Sequence, residues 1–162
     1  MTSKVLAPSP QNGQKPFGFE QVQAMTDKKW AYEDFEVGRS IDFGPRTVEA
    51  EEMIEFAREF DPQPMHLDEA AGAASILGGL SASGWHTCAM FMRLLCDGIL
   101  LDSTSEGSPG IDYVKWKRPV LAGDELTAAV RVIATRESRS RPTIGLVTIH
   151  SEMQNQNGVS VL

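Results

Sequence analysis

The chain has 162 residues, of which 41% are hydrophobic and 23% are charged, and its formal net charge is −7 at pH 7. This length and composition are typical of a globular protein with a sizeable core, and they exclude a largely disordered chain. The acidic balance argues against nucleic acid as the main partner, because phosphate binding requires a basic face. A small anionic ligand held by a local basic patch is compatible with it.

The first 26 residues contain three prolines and several polar residues, without a periodic apolar pattern. We expect residues 1–26 to form a mobile tail or to precede the native start, with Met25 as an alternative start. An ordered arm that packs on a neighbouring chain is the alternative. No basic region precedes a continuous apolar run, so no signal peptide is expected. Residues 27–162 are expected to form a single domain.

The next segments predict a strand and then a helix. Residues 40–47 alternate between apolar and polar side chains, which predicts a strand. Residues 48–60 place their apolar side chains on one helical face, with Thr47 as the expected N-cap. Pro62 and Pro64 end this helix.

Two further helices are expected. Asp68 is placed to cap a short helix over residues 69–75. Residues 84–101 are apolar around most of a helical circumference, which predicts a helix enclosed by the rest of the fold. This helix is too short for a comfortable membrane span and carries Arg93 and Asp97 near its middle, so no membrane association is expected.

The last third of the chain has the patterns of β-strands. Strands are expected over residues 111–120, 126–134 and 144–153, with a hairpin turn at 155–158. Residues 159–162 look like the start of another strand, so we expect native residues to continue beyond Leu162. A long apolar helix beside several antiparallel strands predicts an α+β fold in which the sheet curls around that helix.

The two cysteines are expected to be reduced. Cys88 and Cys96 lie eight positions apart on the predicted helix, roughly 12 Å along its axis at about 1.5 Å per residue. A disulfide bond cannot span this distance. Two reduced cysteines are typical of a cytoplasmic protein, and we predict that location.

Three residues are candidates for chemistry. Asp61 and His66 lie five positions apart with two prolines between them, so the local path is restricted. An acid and an imidazole that reach the same volume can take a proton from water and deliver one elsewhere. Gly84 begins the apolar helix, where free N–H groups and the positive end of the helix dipole meet. The alternatives are a polar loop residue, a satisfied core histidine and a simple helix entry.

Several other arrangements fail on geometry. His86 and Cys88 point about 200° apart on a helix, so they cannot act as a nucleophile and base. Together with His66 they lack the paired spacing of a zinc site, and no metal site is expected. Neither a phosphate-binding glycine loop nor a Gly-x-Ser-x-Gly motif occurs. Three basic residues could attract a phosphorylated ligand, although solvated strand positions explain them as well: Lys115, Lys117 and Arg118.

Four segments, in this order, resemble the MaoC-like dehydratases, which include the (R)-specific enoyl-CoA hydratases. Phe35-Glu-Val-Gly38 fits the family's lead-in, and residues 60–69 are similar to its Asp-x-Asn-Pro-x-His segment. Ser83-Gly84 opens the apolar helix where many members have His-Gly, and residues 117–124 are similar to its Pro-Val-x-x-Gly-Asp turn. The resemblance covers about residues 30–160.

This resemblance implies a hot-dog fold, in which an antiparallel sheet wraps one long buried helix. It also implies a homodimer or higher homo-oligomer and an acyl-CoA thioester substrate in fatty acid metabolism, with no cofactor beyond the coenzyme A of the substrate. By the family's motif, Asp61 and His66 would be the catalytic pair. Gly84, with Ser83, would meet the thioester carbonyl.

The predicted function is therefore a hydro-lyase that adds water to a 2-enoyl thioester or removes it from a 3-hydroxyacyl thioester. A hot-dog acyl-CoA thioesterase and a non-catalytic acyl-CoA-binding protein are the alternatives. The chain departs from the family pattern at Gln63, where Asn is usual, and at Ser83, where His is common. Ala89 stands where some hydratases carry a serine.

Overall fold

The computed structural model of the chain describes residues 2–5 and 28–162. These residues belong to two compact units, and each unit combines three separate stretches of the chain. Unit 1 comprises Met1–Ile41, Cys96–Val114 and Val130–His150. Unit 2 comprises Asp42–Leu95, Lys115–Ala129 and Ser151–Leu162.

A four-stranded antiparallel sheet runs in the order β1-β4-β3-β2. Its strands are β1 (Thr2–Val5), β2 (Ser40–Thr47), β3 (Glu125–Glu137) and β4 (Gly145–Gln154). In unit 1, β1 pairs with β4 in the register Thr2 opposite His150 to Val5 opposite Val147.

Four α-helices precede β3. They are α1 (Ala50–Phe60), α2 (Pro64–Leu67), α3 (Glu69–Ala74) and α4 (Gly84–Gly98). Single 3-10 turns cover Tyr32–Asp34 and Leu100–Asp102. None of the helices in the described ranges is long and apolar enough to cross a membrane.

In unit 1, apolar side chains of β3 and β4 form the core together with Trp30. Tyr32 packs flat against the backbone of Gly145, where a side-chain carbon would overlap its ring. Only glycine therefore fits at the start of β4 without displacing this tyrosine.

In unit 2, one face of α4 packs against β2. Phe91 contacts Phe43 with ring centroids 6.3 Å apart, and Leu94 lies beside Gly44. The buried residues of α4 recur at the spacing of one helical face: His86, Thr87, Met90, Phe91, Leu94 and Leu95.

The opposite face of α4 is exposed, so the prediction of a helix enclosed all round is wrong for this chain on its own. Trp85 and Met92 are exposed apolar residues on that face. Arg93 and Asp97 lie on the same side of α4 as His86, but only His86 is buried, because α1 covers the first turn of α4.

Most other elements predicted for residues 27–162 are confirmed, with three corrections. The N-cap of α1 is Glu49 and not Thr47, since β2 continues through Thr47. Ala134 is exposed, unlike the four alternating residues before it in β3. Residues 112–119 do not form a regular strand, although Lys117 N–H donates to Val161 O.

The N-terminal prediction divides into two parts. Thr2–Val5 forms β1 and pairs with β4, and the mobile tail over residues 1–26 stays a prediction. The remainder of the predicted tail lies outside the described residues. A single domain over residues 27–162 stays a prediction.

Candidate active site

Asp61 follows the last turn of α1, and its carboxylate accepts two side-chain hydrogen bonds. Gln63 Nε2 donates to Oδ1 at 2.7 Å, and Ser83 Oγ donates to Oδ2 at 2.7 Å. The bond from Ser83, followed by that from Gln63, lowers the pKa of Asp61 below its ordinary value; nearby His66 acts in the same direction and burial opposes them. Asp61 is therefore ionised at neutral pH.

His66 lies in α2, the single helical turn that begins at Pro64, and only 6% of its surface is exposed. Its Nδ1 lies 2.8 Å from the carbonyl oxygen of Ser81. Because a carbonyl oxygen only accepts, Nδ1 carries the hydrogen, so that Nε2 presents a lone pair whenever the ring is in its neutral form.

The two predicted catalytic side chains face each other. His66 Nε2 lies 3.6 Å from Asp61 Oδ2. A neutral imidazole nitrogen and a carboxylate oxygen are both acceptors, so neither donates to the other. A water molecule has two donor hydrogens and can bond to both, which leaves its oxygen lone pairs free to react.

Residues 80–84, which we call the entry segment, lead into α4 and provide the contacts that orient both side chains. The Ser81 carbonyl orients His66, and the Ser83 hydroxyl orients Asp61. Both serines are fully buried. Ser83 also acts as the N-cap of α4, because its Oγ accepts from Trp85 N–H at 3.2 Å.

The turn at residues 119–124 holds the entry segment in place. Ala82 N–H donates to Val120 O at 2.8 Å, and Ala122 N–H donates to Leu80 O at 3.2 Å. Asp124 closes the turn by accepting from Leu121 N–H at 2.9 Å. The Pro-Val-x-x-Gly-Asp turn of the resemblance thus lies beside the entry segment and supports it.

Gly84, the predicted carbonyl-binding residue, lies directly beneath Trp116. Trp116 Nε1 donates to Gly84 O at 2.8 Å, and the indole ring covers the Gly84 Cα so closely that a Cβ would lie 2.7 Å from it. Among the described residues, no acceptor meets the Gly84 N–H. This amide at the start of α4 is therefore available to a ligand.

The resemblance predicts that Ser83 meets the thioester carbonyl of the substrate. In the folded chain, the hydroxyl group of Ser83 contacts Asp61. Its one hydroxyl hydrogen is directed at Asp61. A substrate-binding role for Ser83 stays a prediction, whereas its contact with Asp61 is a feature of the folded chain.

His86 lies outside this arrangement. Its ring stacks on Phe56 with centroids 4.7 Å apart, and its Nε2 lies 3.5 Å from Glu52 Oε1. Burial lowers the pKa of His86, while Glu52 opposes this effect. The side chain is therefore a neutral, buried part of the contact between α1 and α4.

The cysteines are free thiols, as predicted. Burial raises the pKa of Cys88, against the effect of a hydrogen bond with Trp116, so this thiol is protonated and unreactive at neutral pH. Within the described part of the chain, no group of three or more His, Cys, Asp or Glu side chains could hold a metal ion.

Lys117, in the middle of the basic run, contacts two side chains. Lys117 Nζ lies 3.0 Å from Glu152 Oε1 and donates to Ser160 Oγ at 2.9 Å. This pairing favours the interpretation of Lys117 as a solvated surface residue.

Sequence reasoning missed Ser81 and Trp116 as parts of the site. Ser81 acts through its carbonyl, which every residue type possesses, so no sequence signal marked it. The alternation around Trp116 predicts a strand, and its contact with Gly84 joins residues 32 positions apart. Gln63 is marked in the sequence only by its departure from the family pattern.

Comparison with known proteins identifies the family of this chain. The sequence profile of the MaoC-like domain matches residues 34–154. The MaoC-like dehydratase from Rhodospirillum rubrum is 44% identical, with 80% of this chain and 88% of that chain aligned and a TM-score of 0.74. The (R)-hydratase from A. caviae involved in PHA biosynthesis is 29% identical, over 78% of this chain and 89% of that chain, with a TM-score of 0.61.

A curated relative, the uncharacterized protein YdeM of Bacillus subtilis (strain 168), is 29% identical over 130 residues, which are 80% of this chain and 90% of the relative. The expected α+β hot-dog fold is confirmed by the solved structures. The matching family and the (R)-hydratase neighbour support a hydratase or dehydratase activity.

Proposed function

We propose, from the premise that this chain belongs to the MaoC-like domain family, that it is a hydro-lyase acting on acyl-CoA thioesters. It adds water to a trans-2-enoyl thioester or removes water from the 3-hydroxyacyl thioester. The observation that carries the proposal is the separation of 3.6 Å between His66 Nε2 and Asp61 Oδ2, two acceptors that together fit one water molecule.

In the hydration direction, the bound water attacks C3 of the enoyl group. Its hydrogens point at Asp61 and His66, so an oxygen lone pair is directed away from both. As the bond from oxygen to C3 forms, one hydrogen passes to the acid–base pair and a proton is delivered to C2. The thioester bond remains intact, and the atoms of one water are added across the double bond.

The carbonyl oxygen of the thioester gains negative charge during this attack. The Gly84 N–H, which meets no acceptor among the described residues, would donate to that oxygen. The positive end of the α4 dipole acts in the same direction. Because this charge is larger in the transition state than in the substrate, the interaction accelerates the reaction.

A panel of trans-2-enoyl-CoA substrates tests the proposal through the loss of conjugated absorbance. We expect short enoyl-CoAs to be hydrated, and Asp61→Asn and His66→Ala each to lower the rate by about 10²-fold or more. Asp68→Asn and His150→Ala serve as matched controls at other acids and imidazoles and should keep the wild-type rate. Near-normal rates in Asp61→Asn or His66→Ala would contradict the site.

The same assay separates the alternatives. Release of free thiol from acyl-CoA, without loss of the double bond in the remaining thioester, would identify a thioesterase. Binding of acyl-CoA without turnover, equal in wild type and Asp61→Asn, would identify a binding protein.

We also propose that the working form is a homodimer or higher homo-oligomer. Trp85, Met92 and Trp116 are exposed by 62%, 39% and 49%, and the first and last contact each other edge to face. A second copy of the chain would cover this apolar surface. Light scattering should give at least a dimer mass, which Trp85→Glu should reduce; a wild-type monomer at assay concentrations would contradict the proposal.

Cytoplasmic location stays a prediction.

A further inference from the structure

Ser83 connects two parts of the site through one hydroxyl group. The oxygen accepts from Trp85 N–H at 3.2 Å, and the hydrogen is donated to Asp61 Oδ2 at 2.7 Å. The side chain is fully buried, so water does not compete for either bond. Asp61 is thereby held at a fixed position relative to the first turn of α4.

The donors around Asp61 stabilise its charged form. Ser83 donates to one carboxylate oxygen and Gln63 donates to the other. Protonation of Asp61 would weaken these bonds, because a neutral carboxyl oxygen is a poorer acceptor than a carboxylate oxygen. The lowered pKa of Asp61 agrees with this geometry.

The two ring nitrogens of His66 face different groups. Its Nδ1–H donates to the Ser81 carbonyl, and its Nε2 faces Asp61 Oδ2. If Nε2 accepts a proton, the resulting cation keeps the Ser81 bond and faces an anion. Among the described residues, His66 is the one titratable group within ion-pair distance of Asp61.

We propose that Ser83 is a positioning residue that, with Gln63, keeps Asp61 as the permanent anion and leaves the proton transfer to His66 Nε2. In hydration, the water oxygen bonds to C3, its proton passes to Nε2, and the double-bond electrons move onto the thioester carbonyl oxygen. The proton on Nε2 then passes to C2 as these electrons return, so the histidine is regenerated. This assignment rests on the proposed hydro-lyase function.

The test measures the ionisation of Asp61 directly, by NMR titration of its carboxyl carbon in the full chain without substrate. Ser83→Ala removes the buried donor and should raise the pKa of Asp61. Ser83→Cys keeps the shape of the side chain and replaces the hydroxyl group by a weaker donor, so it should give a smaller rise. Gln63→Leu, at an exposed position, should also raise it. Ser103→Ala is the matched control, since the hydroxyl group of this buried serine donates to the Leu100 carbonyl and not to Asp61.

Kinetics on a short enoyl-CoA give the second readout. Ser83→Ala should lower kcat about tenfold or more with little change in KM, the loss expected for a hydrogen bond to a charged group. The acid limb of the kcat profile should move to higher pH, a change that a general loss of packing would not produce. Ser83→Thr, which keeps the hydroxyl, should retain more activity than Ser83→Ala.

The outcomes separate this inference from the proposed function. An unchanged Asp61 titration in Ser83→Ala and Ser83→Cys, with normal wild-type turnover, would overturn the role of Ser83. If the titration shifts as expected and wild type hydrates no enoyl thioester, the proposed function fails while the Ser83–Asp61 contact is supported. A protonated Asp61 in wild type at neutral pH would also overturn the inference.

Discussion

Replacing Gly84 by alanine places a methyl group where the ring of Trp116 lies. The new Cβ would be 2.7 Å from Cε2, 2.9 Å from Nε1 and 3.0 Å from Cδ2. Since carbon atoms in contact prefer about 3.5–4.0 Å, the indole must withdraw by about 1 Å. Its Nε1 would then lose the 2.8 Å bond to the Gly84 carbonyl.

The expected cost of Gly84→Ala follows from these contacts. Overpacking costs about 1–3 kcal/mol and the lost hydrogen bond about 1 kcal/mol. The better helix propensity of alanine returns at most about 1 kcal/mol. We therefore expect the free energy of unfolding to fall by about 1–3 kcal/mol, and the emission of Trp116 to change. Hydration should also slow, because the Gly84 amide lies beside the displaced indole.

Urea unfolding of three further variants tests the steric explanation. Gly79→Ala is the matched control, because its Cβ would lie 3.6 Å and 3.8 Å from Leu121 side-chain atoms, an ordinary contact. It should change stability by less than about 0.5 kcal/mol. In a Trp116→Ala background, Gly84→Ala should cost nothing or be stabilising. An undiminished cost without the indole, or a Gly84→Ala protein as stable as wild type, would refute this explanation.

Three other predictions concern stability. Gly72→Ala should destabilise strongly, by about 3 kcal/mol or more, because its Cβ would lie 2.4 Å from the Gly79 carbonyl oxygen, which is backbone; a thermal melt equal to that of Gly79→Ala would contradict it. Burial lowers the pKa of His86 in the folded chain. The stabilising contribution of the neutral His86 side chain is therefore complete above about pH 6.5, and it is lost as the pH falls toward the pKa of His86 in the folded state. The urea midpoint should therefore fall less between about pH 7.5 and pH 5 in His86→Phe than in wild type. An equal fall of the midpoint in both proteins would count against a neutral buried His86. The pKa of Asp61 is also lowered, so the stability difference between wild type and Asp61→Asn should narrow as pH falls below about 4, and a constant difference would contradict the paired carboxylate.

The sequence was most informative where one short pattern determines the outcome. The alternation of β2, the periodic face of α1 and the cap of α3 all depend on neighbours in the chain. Asp68 Oδ1 accepts from Ala71 N–H at 2.8 Å, which is the predicted cap. The proximity of Asp61 and His66 also follows from a short path restricted by proline.

Predictions failed where the outcome depends on residues far away in the chain. Residues 111–120 have the alternation of a strand, but residues 112–119 do not form one, since alternation specifies faces and not a pairing partner. The apolar circumference of α4 predicted complete enclosure, yet Trp85 is exposed in the single chain. A second copy that covers this surface would reconcile the composition of α4 with its exposure.

The predictions for the site also succeeded for local patterns and failed for contacts between distant residues. Its acid, imidazole and glycine were recognisable as residue types, whereas the groups that orient them were not. The Ser81 carbonyl meets His66 across 15 positions, and the Ser83 hydroxyl meets Asp61 across 22. Contacts over such separations depend on how the entry segment packs beside the turn at residues 119–124, which one sequence does not specify.

The central claim is that Asp61 and His66 deliver water to C3 of an enoyl thioester. Turnover of a short trans-2-enoyl-CoA in water enriched in heavy oxygen, followed by mass spectrometry, tests it most directly. We predict that the label appears in the 3-hydroxyl group of an intact thioester, and that Asp61→Asn forms this product at least about 10²-fold more slowly. Label in a free carboxylic acid, accompanied by an equal amount of free thiol, would contradict the account.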